Sequence, residues 1–232
     1  MHKLAKYVIS VNDTRLQQFQ FDMKHSGYNV VPFEGVKKQK VGCTLSHLNL
    51  WKHIVDTNTE PAVIIFEDDA KQIRPYSTQD DTAFEHFLLD SNVGIFLLGW
   101  NPRDSHATEQ KPHYYTGHAL DSHAYILKTS FARKYIKKYG QIFENQFHQM
   151  FAPAGTIDTI FVIEKVALSV PMIFIQHGDE RYNKPVNITN RIINKMSLKL
   201  LSLRISNYCV FHKYMIIIIV IIVLLKYARL QH

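Results

Sequence analysis

Short apolar runs alternate with amphipathic stretches over roughly the first 180 residues. Tyr7-Val8-Ile9-Ser10-Val11 predicts a strand over 6–11, stopped by Asn12-Asp13. Asp13 or Thr14 is placed to cap a helix through Met23, because a side-chain oxygen there accepts a backbone N–H at the helix start. A second strand is expected over 28–33, then a polar loop over 34–40. Leu45, Leu48, Trp51 and Val55 recur at helical spacing and predict a helix over 44–57. Pro61 opens Ala62-Val63-Ile64-Ile65-Phe66, a continuous apolar run of the kind covered on both faces in a parallel sheet. Residues 93–98 form another such run. Residues 101–117 read as a long polar loop, 124–127 as a strand, 130–139 as a helix, 158–166 as a short helix and 172–176 as a late strand. The alternation predicts an α/β domain on a mostly parallel sheet, ending near 190.

The pattern changes beyond that point. Residues 191–213 are rich in Lys, Arg, Leu and Ile, and Tyr214 to Leu225 is twelve apolar residues between Lys213 and Lys226. As a helix the run would be roughly 18 Å long, against a hydrocarbon core of about 30 Å. It is too short to span, and a segment lying on or half inside a membrane surface fits better. The alternative is an element packed on the domain. Residues 191–232 are therefore read as a membrane-associating tail behind a domain over 1–190.

Charge supports the same division. The formal net charge is +7, yet the last acidic residue is Glu180, and nine Lys or Arg follow it. The remaining 18 basic residues face all 20 acidic ones, so residues 1–180 carry a net −2. A near-neutral body with a basic tail points to an anionic membrane surface and away from nucleic acid. The two cysteines, Cys43 and Cys209, lie far apart and outside any CxxC pattern, as expected in a reducing compartment. The N-terminal apolar run is too short for a signal peptide. The expected place is the cytoplasm.

Candidate chemistry concentrates at Glu67-Asp68-Asp69, three carboxylates directly after a buried strand. Ligands of open α/β sheets bind at the carboxyl ends of strands. Clustered carboxylates raise one another's pKa unless a cation joins them, and Mg²⁺ or Mn²⁺ prefers oxygen ligands. A solvated loop with capping acids would look the same. Arg15 has the geometry to pair with a diphosphate, or it is a solvated side chain. His47, on an amphipathic helix, either touches a ligand or makes a structural hydrogen bond. Trp100, Tyr114 and Tyr115 either stack on sugar or pack.

Taken together, Val41-Gly42-Cys43-Thr44-Leu45-Ser46-His47-Leu48-Asn49-Leu50-Trp51 and Val63-Ile64-Ile65-Phe66-Glu67-Asp68-Asp69-Ala70 resemble the signature of glycosyltransferase family 25. That family includes bacterial lipooligosaccharide galactosyltransferases. Tyr7 to Val11 with Arg15 resembles its first strand and nucleotide-side helix, and Ser122-His123-Ala124-Tyr125-Ile126-Leu127 its later strand. The resemblance covers roughly residues 5–180.

It implies a GT-A-like fold, a UDP-sugar donor with galactose the commonest sugar, and a divalent metal, Mn²⁺ or Mg²⁺. Ser10, Arg15, Ser46, His47, Glu67 and Asp68 are then the expected donor-binding residues. Asp69, Glu67 and His177 are the expected metal ligands. Asp158 matches a late Asp of the family pattern and is the expected general base, unless it only caps a helix. A lone His such as His177 also serves structural roles. The expected reaction is an inverting transfer giving a β-linkage on a lipooligosaccharide core, at the cytoplasmic face of the inner membrane. A nucleotide-sugar hydrolase, an inactive sugar-binding module and a membrane-surface adaptor are the alternatives.

Overall fold

The computed structural model describes residues 4–37, 42–100, 106–119, 122–145 and 164–176. Among these residues the elements run β1 (Lys6–Ser10), α1 (Asp13–His25), β2 (Val31–Glu34), α2 (Gly42–Thr57), β3 (Ala62–Glu67), β4 (Ala70–Gln72), α3 (Thr78–Leu89), β5 (Ile95–Leu97), β6 (His106–Gln110), β7 (Tyr115–His118), β8 (Ala124–Lys128), α4 (Thr129–Asn145), β9 (Val166–Leu168) and β10 (Phe174–Gln176). Eight of the strands form one sheet in the order β2-β1-β3-β8-β5-β9-β7-β6, while β4 and β10 pair separately.

The fold is mixed α/β. The expected parallel pairing is present in β2-β1-β3 and in β5-β9. β8 enters between β3 and β5 antiparallel to both, and the β9-β7-β6 edge is antiparallel. Alternate strand residues point to opposite faces. On one face Val8, Ile64, Phe66, Phe96 and Ile126 pack with Phe19 and Met23 of α1 and with Phe84 and Phe87 of α3. On the other, Trp51 of α2 donates to the Tyr125 hydroxyl and packs edge-on against Phe131 and Tyr135 of α4. Helices thus cover both faces, which is why β3 and β8 read as unbroken apolar runs.

β1 lies between β2 and β3. The chain leaves β1 through α1 to one side, then returns through α2 to the other. That reversal opens a crevice at the carboxyl ends of β1 and β3, where open α/β sheets bind ligands. Asp68, just past β3, is tied there by its N–H to the Ile9 carbonyl at 3.1 Å.

Several boundaries differ from the sequence expectation. The cap of α1 is Asn12, whose side chain accepts from the Arg15 N–H, in place of Asp13 or Thr14. β2 starts at Val31, and its Pro32 is tolerated because β2 is an edge strand. The expected loop over 101–117 contains the hairpin β6–β7. β6 is a polar edge, with Glu109 bonded to Lys111 and Lys165, so no apolar alternation announced it. Of the helix expected over 158–166, residues 158–163 lie outside the described residues, and Val166 begins β9. The tail over 191–232 also lies outside them. Among the described residues no helix is long and apolar enough to cross a membrane.

Gly99 marks a close approach. A Cβ there would stand 2.2 Å from His123 Nε2 and 2.4 Å from the Phe174 carbonyl oxygen. A backbone oxygen cannot swing away as a side-chain tip can. Gly99→Ala should therefore cost about 1–3 kcal/mol of stability, read as a lower urea midpoint with unchanged slope.

Candidate functional site

The site grows out of the ends of β1 and β3. Ser10, the last residue of β1, donates its hydroxyl to Asp68 Oδ2. Capping by Asn12 starts α1 at once and sets Arg15 in its first turn, where Nη2 meets Asp68 Oδ1 at 2.8 Å. Both Asp68 oxygens are thus engaged within the protein. The Arg15 side chain remains 50% exposed, while that of Asp68 is 4% exposed.

A cleft of about 470 Å³ opens here, lined by Ile9, Ser10, Val11, Arg15, Val36, Lys37, Gly42, Cys43, Ser46, His47, Glu67 and Asp68. All six residues expected at the donor are among them. A larger cleft of about 970 Å³ lies between α1 and the β4 region and is lined by Gln18, Asp22, Tyr28, Asp69, Lys71 and Tyr76, among others. The two clefts share Arg15 and Asp68.

Two residues at the smaller cleft are turned inward. The Ser46 hydroxyl donates to the Gly42 carbonyl at 2.6 Å and accepts from the Val36 N–H at 2.7 Å, pinning the loop after β2 to α2. The His47 side chain is fully buried. Its Nδ1 lies 2.8 Å from the Tyr125 hydroxyl and its Nε2 lies 3.2 Å from Glu67 Oε1. The Trp51 Nε1–H reaches the same Tyr125 oxygen at 2.8 Å.

An indole can only donate, so Tyr125 accepts from Trp51; the Glu67 carboxylate can only accept, which leaves Nδ1 of a neutral His47 as the acceptor of the Tyr125 hydroxyl proton. By that donor count His47 carries its proton on Nε2 and donates it to Glu67. Burial drives the Tyr125 hydroxyl well above its ordinary pKa, which keeps it a donor.

Glu67 Oε1 also accepts from Ser122 Oγ. Burial opposes its charge. The hydrogen bonds from His47 and Ser122 outweigh that and hold Glu67 down to about 2. Asp69 is the opposite case. Burial first, and the Glu67 charge second, push it up to about 6, and the bond from Gln176 Nε2 at 3.1 Å offsets only part. Its other oxygen, Oδ1, is buried with no hydrogen-bond partner among the described residues.

An orphaned carboxylate oxygen with a raised pKa fits a hard divalent cation, which would supply the missing partner and favour the charged form. Of the expected ligands, Asp69 therefore fits. Glu67 turns Oε1 toward His47 and Ser122. His177 and the expected base Asp158 lie outside the described residues.

Sequence reasoning missed Trp51, Ser122 and Tyr125 as supports of Glu67, and Gln176 as the support of Asp69. Ser122 and Tyr125 lay in a noted block, but nothing in spacing alone brings β8 beside β3. It also missed α3, although Ser77 with Asp80 forms a capping box ahead of Ala83, Phe84 and Phe87. Cys43 was set aside for want of a metal-type spacing. Four residues before His47 on α2, it comes close enough for Cys43, His47 and Glu67 to present ligand atoms within 4.8 Å of one another. Trp100 and Tyr114 are packing residues: the Trp100 indole donates to the Ser169 carbonyl, and the buried Tyr114 donates to Asp90.

One of three comparisons with known proteins agrees with the motifs. No curated protein matches the chain. Among solved structures, the crystal structure of HddC from Yersinia pseudotuberculosis aligns at 13% identity and a TM-score of 0.36, over 78% of this chain and 76% of that one. A likeness of that size carries no argument about fold or function. The family description for glycosyltransferase family 25, "LPS biosynthesis protein", matches residues 9–150, which include both signature blocks, the whole of the smaller cleft and Asp69. The chain belongs to glycosyltransferase family 25.

Proposed function

We propose that this chain transfers a hexose, galactose by preference, from a UDP-sugar to a sugar of a lipooligosaccharide core, on a GT-A-like fold. One observation carries the donor assignment: Ser10, Arg15, Ser46, His47, Glu67 and Asp68 converge on one cleft at the crevice between β1 and β3. Arg15 stands in the first turn of α1, where the helix dipole and a half-exposed guanidinium both favour an anion such as a diphosphate. Asp68 and Ser10 orient Arg15. Ser46, His47, Tyr125 and Trp51 are positioning residues that hold the cleft wall and Glu67. Asp69 is the residue to hold Mn²⁺ or Mg²⁺, which when bound would supply positive charge against the departing diphosphate.

In the proposed displacement an acceptor hydroxyl oxygen bonds to the anomeric carbon as the bond from that carbon to the UDP oxygen breaks. UDP leaves with the electron pair. Asp158 takes the hydroxyl proton, and inversion gives a β-linkage. Asp158→Asn should keep UDP binding and lower turnover by about two orders of magnitude or more, the scale of general-base catalysis. Normal turnover would move the base elsewhere. A donor screen with a de-acylated core acceptor tests the activity itself. Donor hydrolysis indifferent to acceptor would instead favour a hydrolase.

The reading extends to place. Seven Lys or Arg and no acids in residues 191–232 would add about 1 kcal/mol each near an anionic surface. We propose peripheral attachment to the cytoplasmic face of the inner membrane. The full chain should co-sediment with anionic vesicles more than a chain ending near 190 does. Equal partitioning of the two would remove the attachment.

A further inference from the structure

Cys43 and His47 stand four apart on α2, so their side chains share one face of the helix. Glu67 reaches that face from the end of β3. The three ligand atoms, a thiol sulfur, an imidazole nitrogen and a carboxylate oxygen, lie within 4.8 Å of one another. His47 Nε2 and Glu67 Oε1 are 3.2 Å apart. Tetrahedral zinc, with bonds of about 2.0–2.1 Å to nitrogen and 2.0–2.2 Å to oxygen, separates two such ligands by about 3.3–3.5 Å. The pair is thus spaced for one ion with a shift of a few tenths of an ångström.

We propose that Cys43 Sγ, His47 Nε2 and Glu67 Oε1 bind a thiophilic divalent cation of the Zn²⁺ type, at a position separate from the oxygen-ligand position at Asp69. The donor set decides the ion. Sulfur and imidazole nitrogen favour Zn²⁺ over Mg²⁺ or Mn²⁺. The outer partners are already in place: Tyr125 sits 2.8 Å from His47 Nδ1, and Ser122 donates to Glu67. Metal-binding imidazoles usually donate from their second nitrogen to such a partner, so Tyr125 would change from donor to acceptor at Nδ1.

On binding, the Cys43 thiol loses its proton to solvent and the sulfur forms a bond to the metal. The His47 ring proton moves from Nε2 to Nδ1, the Tyr125 hydroxyl there turns from donor to acceptor with its own proton swung away from the ring, and Nε2 gives its lone pair to the ion. Three protein ligands leave a fourth tetrahedral position, and all three line the smaller cleft. The site is a matter of binding alone and stands whether or not the chain transfers sugar.

Co²⁺ is the probe, because a thiolate bound to it gives an intense near-ultraviolet charge-transfer band. Full-length metal-free protein should develop that band at one equivalent of Co²⁺ and lose it on addition of Zn²⁺. Cys43→Ser should abolish the band and weaken Zn²⁺, measured against a chromophoric chelator, by more than about tenfold. Cys209→Ser should leave both unchanged. Cys43 is exposed, so its replacement leaves the core intact. A wild type without the band, a band that survives Cys43→Ser, or unchanged Zn²⁺ affinity in that variant would overturn the proposal.

Discussion

Asp69→Asn is expected to stabilise the metal-free protein at neutral pH while lowering transfer by about two orders of magnitude or more, the usual scale of lost transition-state charge stabilisation. The reason is the position of the carboxyl. Burial and the neighbouring Glu67 charge raise it to about 6. A carboxyl that ionises less readily folded than unfolded destabilises the fold wherever it is charged. Below the unfolded value, near 4, both states are protonated and nothing is lost. Between about 4 and 6 the folded state holds a proton that the unfolded state has released, so stability falls as pH rises through that window. Above it the full cost remains. Asn removes the charge and keeps the shape and the bond from Gln176.

The Glu67 contribution runs the other way. It is held down to about 2, so its stabilisation is present at neutral pH and is lost as pH falls from about 4 toward 2. Thermal melts at pH 2.5, 4.5 and 7.5 separate the two. Mn²⁺ should raise the melting temperature of wild type at pH 7.5 and not of Asp69→Asn. A variant that keeps full transfer, or the same Mn²⁺ response in both proteins, would remove Asp69 from the metal site.

Tyr125→Phe should cost about 2–6 kcal/mol although it deletes a single oxygen and opens no cavity of note. That oxygen is shared by the Trp51 indole N–H and His47 Nδ1. Its loss leaves two buried polar groups unpaired, at about 1–3 kcal/mol each. Trp51→Phe in the Tyr125→Phe background should then cost less than in wild type, because one orphan leaves with the indole. Urea unfolding of the four proteins measures the coupling. A loss under 1 kcal/mol for Tyr125→Phe would mean that the network does not hold Glu67. The same variant should bring the Glu67 pKa up, since its anchored His47 is released.

The parts of this fold legible in the sequence are those where one force dominates. β3 and β8, covered by helices on both faces, announce themselves as apolar runs, and α2 by its apolar stripe. The acid cluster was legible because three carboxylates after a buried strand are costly without a purpose. What was not legible depends on distant pairing. The antiparallel insertion of β8 brings Ser122 and Tyr125 to Glu67 across 55 and 78 residues from Glu67 and His47 respectively, and no local pattern encodes it. β6 was hidden because an edge strand gains from polar residues, and β4 because three residues are too few to show a period. His47 illustrates the limit at the site. The signature marks it, but only its bonds to Tyr125 and Glu67 distinguish a buried positioning group from a ligand contact.

The account turns on a nucleotide diphosphate sitting at the crevice between β1 and β3. The most direct test is isothermal titration of UDP into wild type, Arg15→Ala and Asp69→Asn, with Mn²⁺ and with chelator. The account predicts one UDP per chain in the presence of Mn²⁺, binding weaker by about tenfold or more in each variant, the worth of about 1.4 kcal/mol, and weaker in chelator for wild type. Absence of UDP binding, or equal affinity in wild type and Arg15→Ala, would contradict it.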